Sequence, residues 1–365
     1  MKYVDEFRSR RLIDKVADEI CHAIDAERDY NIMEVCGTHT MSIFRFGLKE
    51  ILPANIRLIS GPGCPVCVTP NDFLDKAISI ANRDDVIIAT FGDMLKVPGS
   101  YSSLEKEKAK GADIRVVYSC LDALDLARNN PGKEIVFLGI GFETTTPTVA
   151  QSILIAEKEA LSNYSVLCGH KTMPEALEAL VSDGSINVDG FLLPGHVSAI
   201  TGPAPYEFLS SKYKKRCVIS GFEPLDIMQS VLMLIRQKTP AVQIQYKRII
   251  DKVGNPLARK IVAKVFEKCH SFWRGIGEIR NSGLKIKNGY KKFDAEIKFR
   301  PRPKMSKENP SCFCGHILKG LKTPYDCKLF AKVCTPESPV GACMVSSEGT
   351  CAAYYKYGKY TTNSR

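Results

Sequence analysis

Across its first 240 residues the chain alternates short β-branched or apolar runs with helical stretches, a pattern that restricts it to parallel α/β architecture. The runs cover residues 31–35, 56–60, 85–90, 114–118, 134–140, 165–167, 190–193 and 217–220. Helices are expected between them over 70–82, 103–110, 147–161, 174–181 and 225–237. Three of these open on proline, whose fixed φ and missing N–H suit a first turn. Parallel strands joined by crossover helices build open sheets. The 365 residues are too many for one core of ordinary size. The expected fold is therefore α/β: two open, mainly parallel, Rossmann-like domains over 1–145 and 146–305, then a small cysteine-rich C-terminal region over 306–365.

Seven of the eight runs end in an unusual loop. CGTHT follows the first, GPGCPVC the second, FGDM the third, GFETTTP the fifth, CGHKTMP the sixth, PGHVSAI the seventh and GFEPLD the eighth. Ligands of open α/β sheets bind beyond the carboxyl ends of the strands, so these loops are expected to converge on one or two clefts. A faint internal echo, Gly141-Phe142-Glu143 and Gly221-Phe222-Glu223, hints at two similar halves. Past residue 240 a helix is expected over 255–273, with Leu257, Ile261, Val265 and Cys269 on one face and Cys269 a buried small hydrophobe. The Pro-rich stretch 301–310 reads as a connector.

Fourteen cysteines, without an apolar leader segment, argue for metal, cluster or redox chemistry rather than a disulfide-stapled secreted scaffold. No apolar run approaches the roughly 20 residues of a bilayer span; a cytoplasmic protein is expected. Six thiols, Cys312, Cys314, Cys327, Cys334, Cys343 and Cys351, fall within the last 54 residues. Zinc favours paired Cys-x-x-Cys knuckles, absent there, whereas a [4Fe-4S] cluster tolerates irregular spacing between four thiolates. Two thiols would remain for a redox pair beside the cluster. In front, Cys64 and Cys67 form a Cys-x-x-Cys just before a helix, where the positive dipole end favours thiolate for disulfide exchange or soft-metal ligation. Cys36 closes the first strand with His39 three residues on, a pair suited to hold iron or copper or to serve as nucleophile and base. Glu143, His170, His196 and, with less weight, Asp93 are further strand-end polar groups; each has a plain reading as helix cap or hydrogen-bonded core residue.

The net charge of +11 gathers in residues 212–216 and 285–304. No interleaved aromatics or reading helix accompany it, so a solvated face or an acidic protein partner is expected rather than nucleic acid. No Gly-x-Gly-x-x-Gly or P-loop motif supports nucleotide binding.

The segments MEVCGTHT, GPGCPVC, GFETTTP, PGHVSAI and CTPESPVGACMVSSEGTCAAYYKYGKY resemble those of the HypD-type maturation factors of [NiFe]-hydrogenases, over residues 31–360 and without departure in these five segments. The resemblance implies a scaffold and redox protein for the Fe(CN)2CO centre. It would hold iron together with a HypC-type chaperone, accept cyanide from a HypE-type partner, and serve the hydrogenase large subunit indirectly. By position it implies Cys36 as the iron ligand shared with the chaperone, His39 beside it, and Cys64 with Cys67 as a redox pair; Glu143 and His196 are then expected to orient the incoming group or supply protons. It further implies a [4Fe-4S] cluster on Cys314, Cys327, Cys334 and Cys351, with Cys312 and Cys343 as the nearby disulfide-capable pair. A stand-alone iron-sulfur thiol-disulfide oxidoreductase is the alternative reading, and a zinc-stabilised nucleic-acid-binding protein a third.

Overall fold

A computed structural model describes residues 4–303 and 307–358. All eight expected strands form: β1 (Tyr30–Glu34), β2 (Ile56–Ser60), β3 (Val86–Thr90), β4 (Ile114–Val116), β5 (Glu134–Gly139), β6 (Tyr164–Cys168), β7 (Gly190–Pro194) and β8 (Arg216–Ser220). A ninth, β9 (Val242–Ile244), completes a five-stranded parallel sheet in the order β2-β1-β7-β8-β9. The other four strands make a second parallel sheet in the order β4-β3-β5-β6. β1, β3 and β7 are buried along their whole length, as parallel strands covered on both faces must be.

Chain order and sheet membership do not run together. The five-stranded sheet takes β1 and β2 from the front and β7 to β9 from beyond residue 190, and the four-stranded sheet occupies the interval. The expected boundary at 145/146 therefore falls between β5 and β6, neighbours in one sheet. The boundary at 305/306 lies outside the described residues. Each sheet reverses its strand order once, between β1 and β7 in one and between β3 and β5 in the other. Those two reversals are where crevices open in doubly wound sheets.

Three apolar clusters stabilise this arrangement. One lies outside the five-stranded sheet, where helix Arg10–Ala23 lays Ile13, Val16, Ala17 and Ile20 against helix Pro224–Arg236. A second covers the far side of the four-stranded sheet with helices Cys120–Asn129 and Thr146–Lys158. The third lies between the sheets and contains Met33, Val136 and Trp273 together with Cys64, Cys67, Cys314, Cys334, Cys343 and Cys351. The thiols thus belong to the central core.

The expected helix over 255–273 is shorter. It ends at Val265, and β10 (Phe266–Trp273) pairs antiparallel with β11 (Gly277–Ile286). From Lys268 to Phe272 exposure alternates, the period of a strand, so Cys269 sits half-buried on β10 instead of deep in a helix face. The tail has short helices and turns. Its last helix, Thr350–Tyr357, packs on helix Gly37–Arg45 through Tyr354 and Phe44, whose ring centroids are 4.2 Å apart. Much of the basic surface is locally paired, by Lys212 with Glu178, Lys285 with Glu267, Lys292 with Glu157 and Lys298 with Glu134.

Candidate thiol and metal site

β1 and β2 are register neighbours, so their loops leave the sheet side by side. Gly37 N donates to Gly63 O (3.0 Å) and Gly61 N to Glu34 O (2.8 Å). The approach requires glycine at 63, since a Cβ there would lie 2.2 Å from Cys36 N. Cys36 thereby caps helix Gly37–Arg45 next to the Cys-x-x-Cys turn, in which Cys67 N donates to Cys64 Sγ at 3.3 Å. Both loops line a cleft of ≈ 380 Å³ that also takes His196, Asp93, Thr144, Thr145, Ser346 and Glu348. The strand reversals of both sheets meet in this cleft.

Two tail residues that sequence reasoning passed over close it. Thr38 Oγ1 donates to Glu348 Oε1 (2.6 Å), and Ser346 Oγ donates to Asp93 Oδ2 (2.7 Å). The signal available was the polar SSEGT stretch between two tail cysteines, but its partners lie 310 and 253 residues away. Burial pushes the Cys36 thiol up to about 12, and the Glu348 carboxylate adds to the effect. Alone, Cys36 stays protonated; an arriving cation would displace the proton and be drawn by the same carboxylate.

His39 is buried, stacks on Phe222 at 4.7 Å, and its Nε2 meets Gly221 O at 3.0 Å, while Nδ1 has no partner among the described residues. Burial lowers it to about 4, so it is neutral at pH 7. His196 stacks on the same Phe222 at 4.0 Å and reaches the cleft. Glu143 does not. Its Oε1 accepts from Met173 N (2.9 Å), its Oε2 is buried without a partner, and it lines a separate pocket of ≈ 260 Å³. Burial raises Glu143 to about 7. His170 is also buried away from the cleft, its Nδ1 3.4 Å from Cys168 Sγ.

The tail thiols gather against the Cys-x-x-Cys from below. Cys343 is the hub: its sulfur lies in contact with the thiols of Cys314, Cys351 and Cys67, and those contacts lower it from the ordinary thiol range against the effect of burial. Cys67 is driven up by burial and by its contacts with Cys343 and Cys64. Cys312 is raised by its bond to Cys314 and by burial. Cys334, raised by burial, lies within electrostatic reach of Cys312 and Cys314. Cys327 Sγ faces Ser311 O at 4.0 Å. The expected partners Cys312 and Cys343 are thus linked through Cys314. The tail thiols that Cys343 meets directly are Cys314 and Cys351. Spacing could not distinguish Cys312 from Cys314, two residues apart on one turn. Among the described residues no group of three His, Cys, Asp or Glu side chains is arranged around a single metal ion.

This geometry defines a class: a two-sheet α/β protein with Cys36 and Cys64 lining a cleft and a buried series of thiols behind them. A sequence model of the family described as "HypD: Hydrogenase formation hypA family" matches residues 11–358. The chain is 49% identical over 371 residues to hydrogenase maturation factor HypD2 of Bradyrhizobium diazoefficiens, covering 99% of this chain and 98% of that protein. It is 44% identical over 366 residues to hydrogenase maturation factor HypD of Escherichia coli K12, covering 98% of each. The chain belongs to the HypD family. Among the described residues no helix is long and apolar enough to cross a membrane.

Proposed function

We propose that the protein acts in hydrogenase maturation as the scaffold on which an iron ion receives diatomic ligands, with the iron as cargo held at Cys36. A HypC-type chaperone would share that iron and a HypE-type partner would supply cyanide. The observation that carries the reading is the junction of the two thiol groups: Cys36 lies over the Cys64 loop, and Cys67 bonds Cys343. Releasing cyanide from sulfur is a reductive cleavage and needs electrons. A dithiol at Cys64 and Cys67, re-reduced from behind through Cys343, brings them to the cleft where the cargo sits. Thiol-disulfide exchange needs an attacking thiol within reach, and Cys343, in contact with Cys67, is placed to supply it.

The same contacts support pairing Cys343 with Cys314 as the tail disulfide. Cys312 then joins Cys327, Cys334 and Cys351 as the thiols that would hold a [4Fe-4S] cluster. The donor set is soft, as such a cluster requires, and a bound cluster would supply one-electron storage. A stand-alone thiol-disulfide oxidoreductase would use the same buried thiols but has no need of Cys36 and Glu348 at the cleft. Anaerobic co-purification with the chaperone discriminates. The unaltered chain is expected to carry iron with infrared cyanide and carbonyl bands, and Cys36→Ala to lose both while keeping its tail thiol chemistry. Cyanide-bearing iron retained by Cys36→Ala would sink the scaffold reading.

A further inference from the structure

A second cavity, of ≈ 490 Å³, reaches the tail thiols from elsewhere and shares no lining residue with the Cys36 cleft. Cys312 and Cys314 stand in its wall with Asn71, Ser100 and Arg274. Arg274 occupies the tip between β10 and β11. There Gly275, at φ +68°, lies so close to the CFCG loop that a Cβ would be 2.1 Å from Gly315 Cα. The tip is also fixed to the Cys-x-x-Cys side: Arg274 N donates to Val68 O and Nε to Thr69 O, both at 2.8 Å. Arg274 is only 5% exposed, and its Nη2 is buried with no hydrogen-bond partner among the described residues. Asn71, 6% exposed, gives Nδ2 to Lys307 O at 2.6 Å and leaves Oδ1 without a partner among the described residues. Lys307 and Glu308 in the same lining offset each other in charge.

A buried cation with an unfilled donor and a nearby unfilled acceptor is costly unless a ligand completes both. The pairing calls for a molecule with an anionic group for Arg274 and a hydrogen to donate to Asn71 Oδ1. We propose that this cavity admits a small anionic thiol, an RS–H bearing a carboxylate or sulfonate, which reduces the Cys314–Cys343 disulfide. The inference rests on the relay reading above. In the first step RS⁻ attacks Cys314 Sγ, a mixed disulfide forms, and Cys343 leaves as thiolate. A second RS⁻ attacks the outer sulfur, forming RS–SR and freeing the Cys314 thiolate; the two protons come from the two RS–H. Two small thiols are oxidised and one protein disulfide is reduced. Cys343, now reduced, is in contact with Cys67.

The test oxidises the full chain mildly and follows its reduction by 2-mercaptoethanesulfonate, 2-mercaptoethanol and cysteamine at matched thiolate concentration, by mass of alkylated Cys314 and Cys343. The sulfonate is expected to react about ten-fold faster than the neutral thiol, as charge steering into a cleft allows. Arg274→Gln should erase that preference, and Arg274→Lys should keep part of it. Inorganic sulfate, against chloride at equal ionic strength, should slow the sulfonate thiol alone. This arm uses the unaltered chain and decides the matter even if Arg274→Gln fails to fold. Equal rates for the three thiols, a preference that survives Arg274→Gln, or sulfate without selective effect would each overturn the cavity's role. Absence of a Cys314–Cys343 disulfide after oxidation would overturn the relay itself, and this inference with it.

Discussion

The residues Gly-Phe-Glu follow β5 in the four-stranded sheet and β8 in the five-stranded sheet, and their surroundings diverge. At Gly141-Phe142-Glu143 the ring stacks on Trp273 at 5.9 Å, and the carboxylate is buried on the backbone of Met173. At Gly221-Phe222-Glu223 the ring carries His39 and His196, and the carboxylate accepts from Arg8 at the surface. The contrast recurs at other strand ends, although the loops after β3 and β5 also reach the cleft. Loops after β1, β2 and β7 face the tail and the cleft, whereas β6 is followed by groups absorbed into structure: His170 is buried, and Lys171 Nζ donates to Ser271 Oγ and Phe272 O. Similar loops acquire different roles from what packs on them: the cysteine tail on one side, the β10–β11 hairpin on the other.

The sharpest test of that division pairs one thiol from each sheet. Cys36 and Cys168 are both half-buried at strand ends, and burial raises both to about 12. Cys36→Ala is expected to cut iron retention by at least about 100-fold, since even outer-shell changes at metal sites cost 10–100-fold. Cys168→Ala should leave retention within about two-fold, because its sulfur only donates to Leu284 O and neighbours His170. Equal losses would erase the distinction between the sheets.

Glu143 sharpens the comparison through pH. Its folded value near 7, raised from 4.5 by burial, means that the folded state keeps a proton the unfolded chain releases. Its contribution to stability is complete below about pH 4.5 and is lost as pH rises to 7. Glu143→Gln, which keeps an acceptor for Met173 N, should therefore match the natural chain at pH 4.5 and exceed it above pH 7, by up to ~3 kcal/mol. Urea midpoints at the two ends of that window read the difference. A flat difference would mean that the carboxylate is solvated and available to chemistry after all.

Much of this organisation was legible in the sequence because it is local. Apolar runs marked all eight strands of the alternating region, and proline or serine at first turns marked the helices between them. The hairpin escaped because Leu257, Ile261, Val265 and Cys269 keep helical spacing across the true end of the helix at Val265. At the site, the cysteines and His196 were visible as residue types, whereas Glu348, Ser346 and Arg274 were not. Their meaning arises only when the tail and hairpin fold back across more than 200 residues of chain. The position of Glu143 was hidden for the converse reason: the end of a strand offers two directions, and its side chain took the one away from the cleft.

Glycine tests the contact between the β1 and β2 loops. A Cβ at position 63 would meet Cys36 N at 2.2 Å, and backbone cannot swing aside as a side chain can. Gly63→Ala should cost roughly 1–3 kcal/mol in denaturant unfolding. Gly184→Ala, with nothing within 4 Å of its would-be Cβ, should change little, within about 0.5 kcal/mol. Comparable costs at both positions would mean that the two loops do not meet as closely as the register of β1 and β2 requires.

The smallest expected effect falls where a single side-chain bond fastens the tail to the four-stranded sheet. Ser346 Oγ donates to Asp93 Oδ2, fastening the tail to the loop after β3 and closing one side of the cleft. Ser346 is buried, but Asp93 is exposed, so water can replace the lost donor and Ser346→Ala should cost only about 1 kcal/mol. That modest loss acts locally. An opening equilibrium shifted by this amount raises the open population roughly five-fold, so Cys64 at the cleft should alkylate about five times faster while the global unfolding midpoint barely moves. A Cys64 rate that does not change would show that the tail is held over the cleft by Glu348 and Thr38 alone. The four-stranded sheet would then contribute shape to the site without holding it closed.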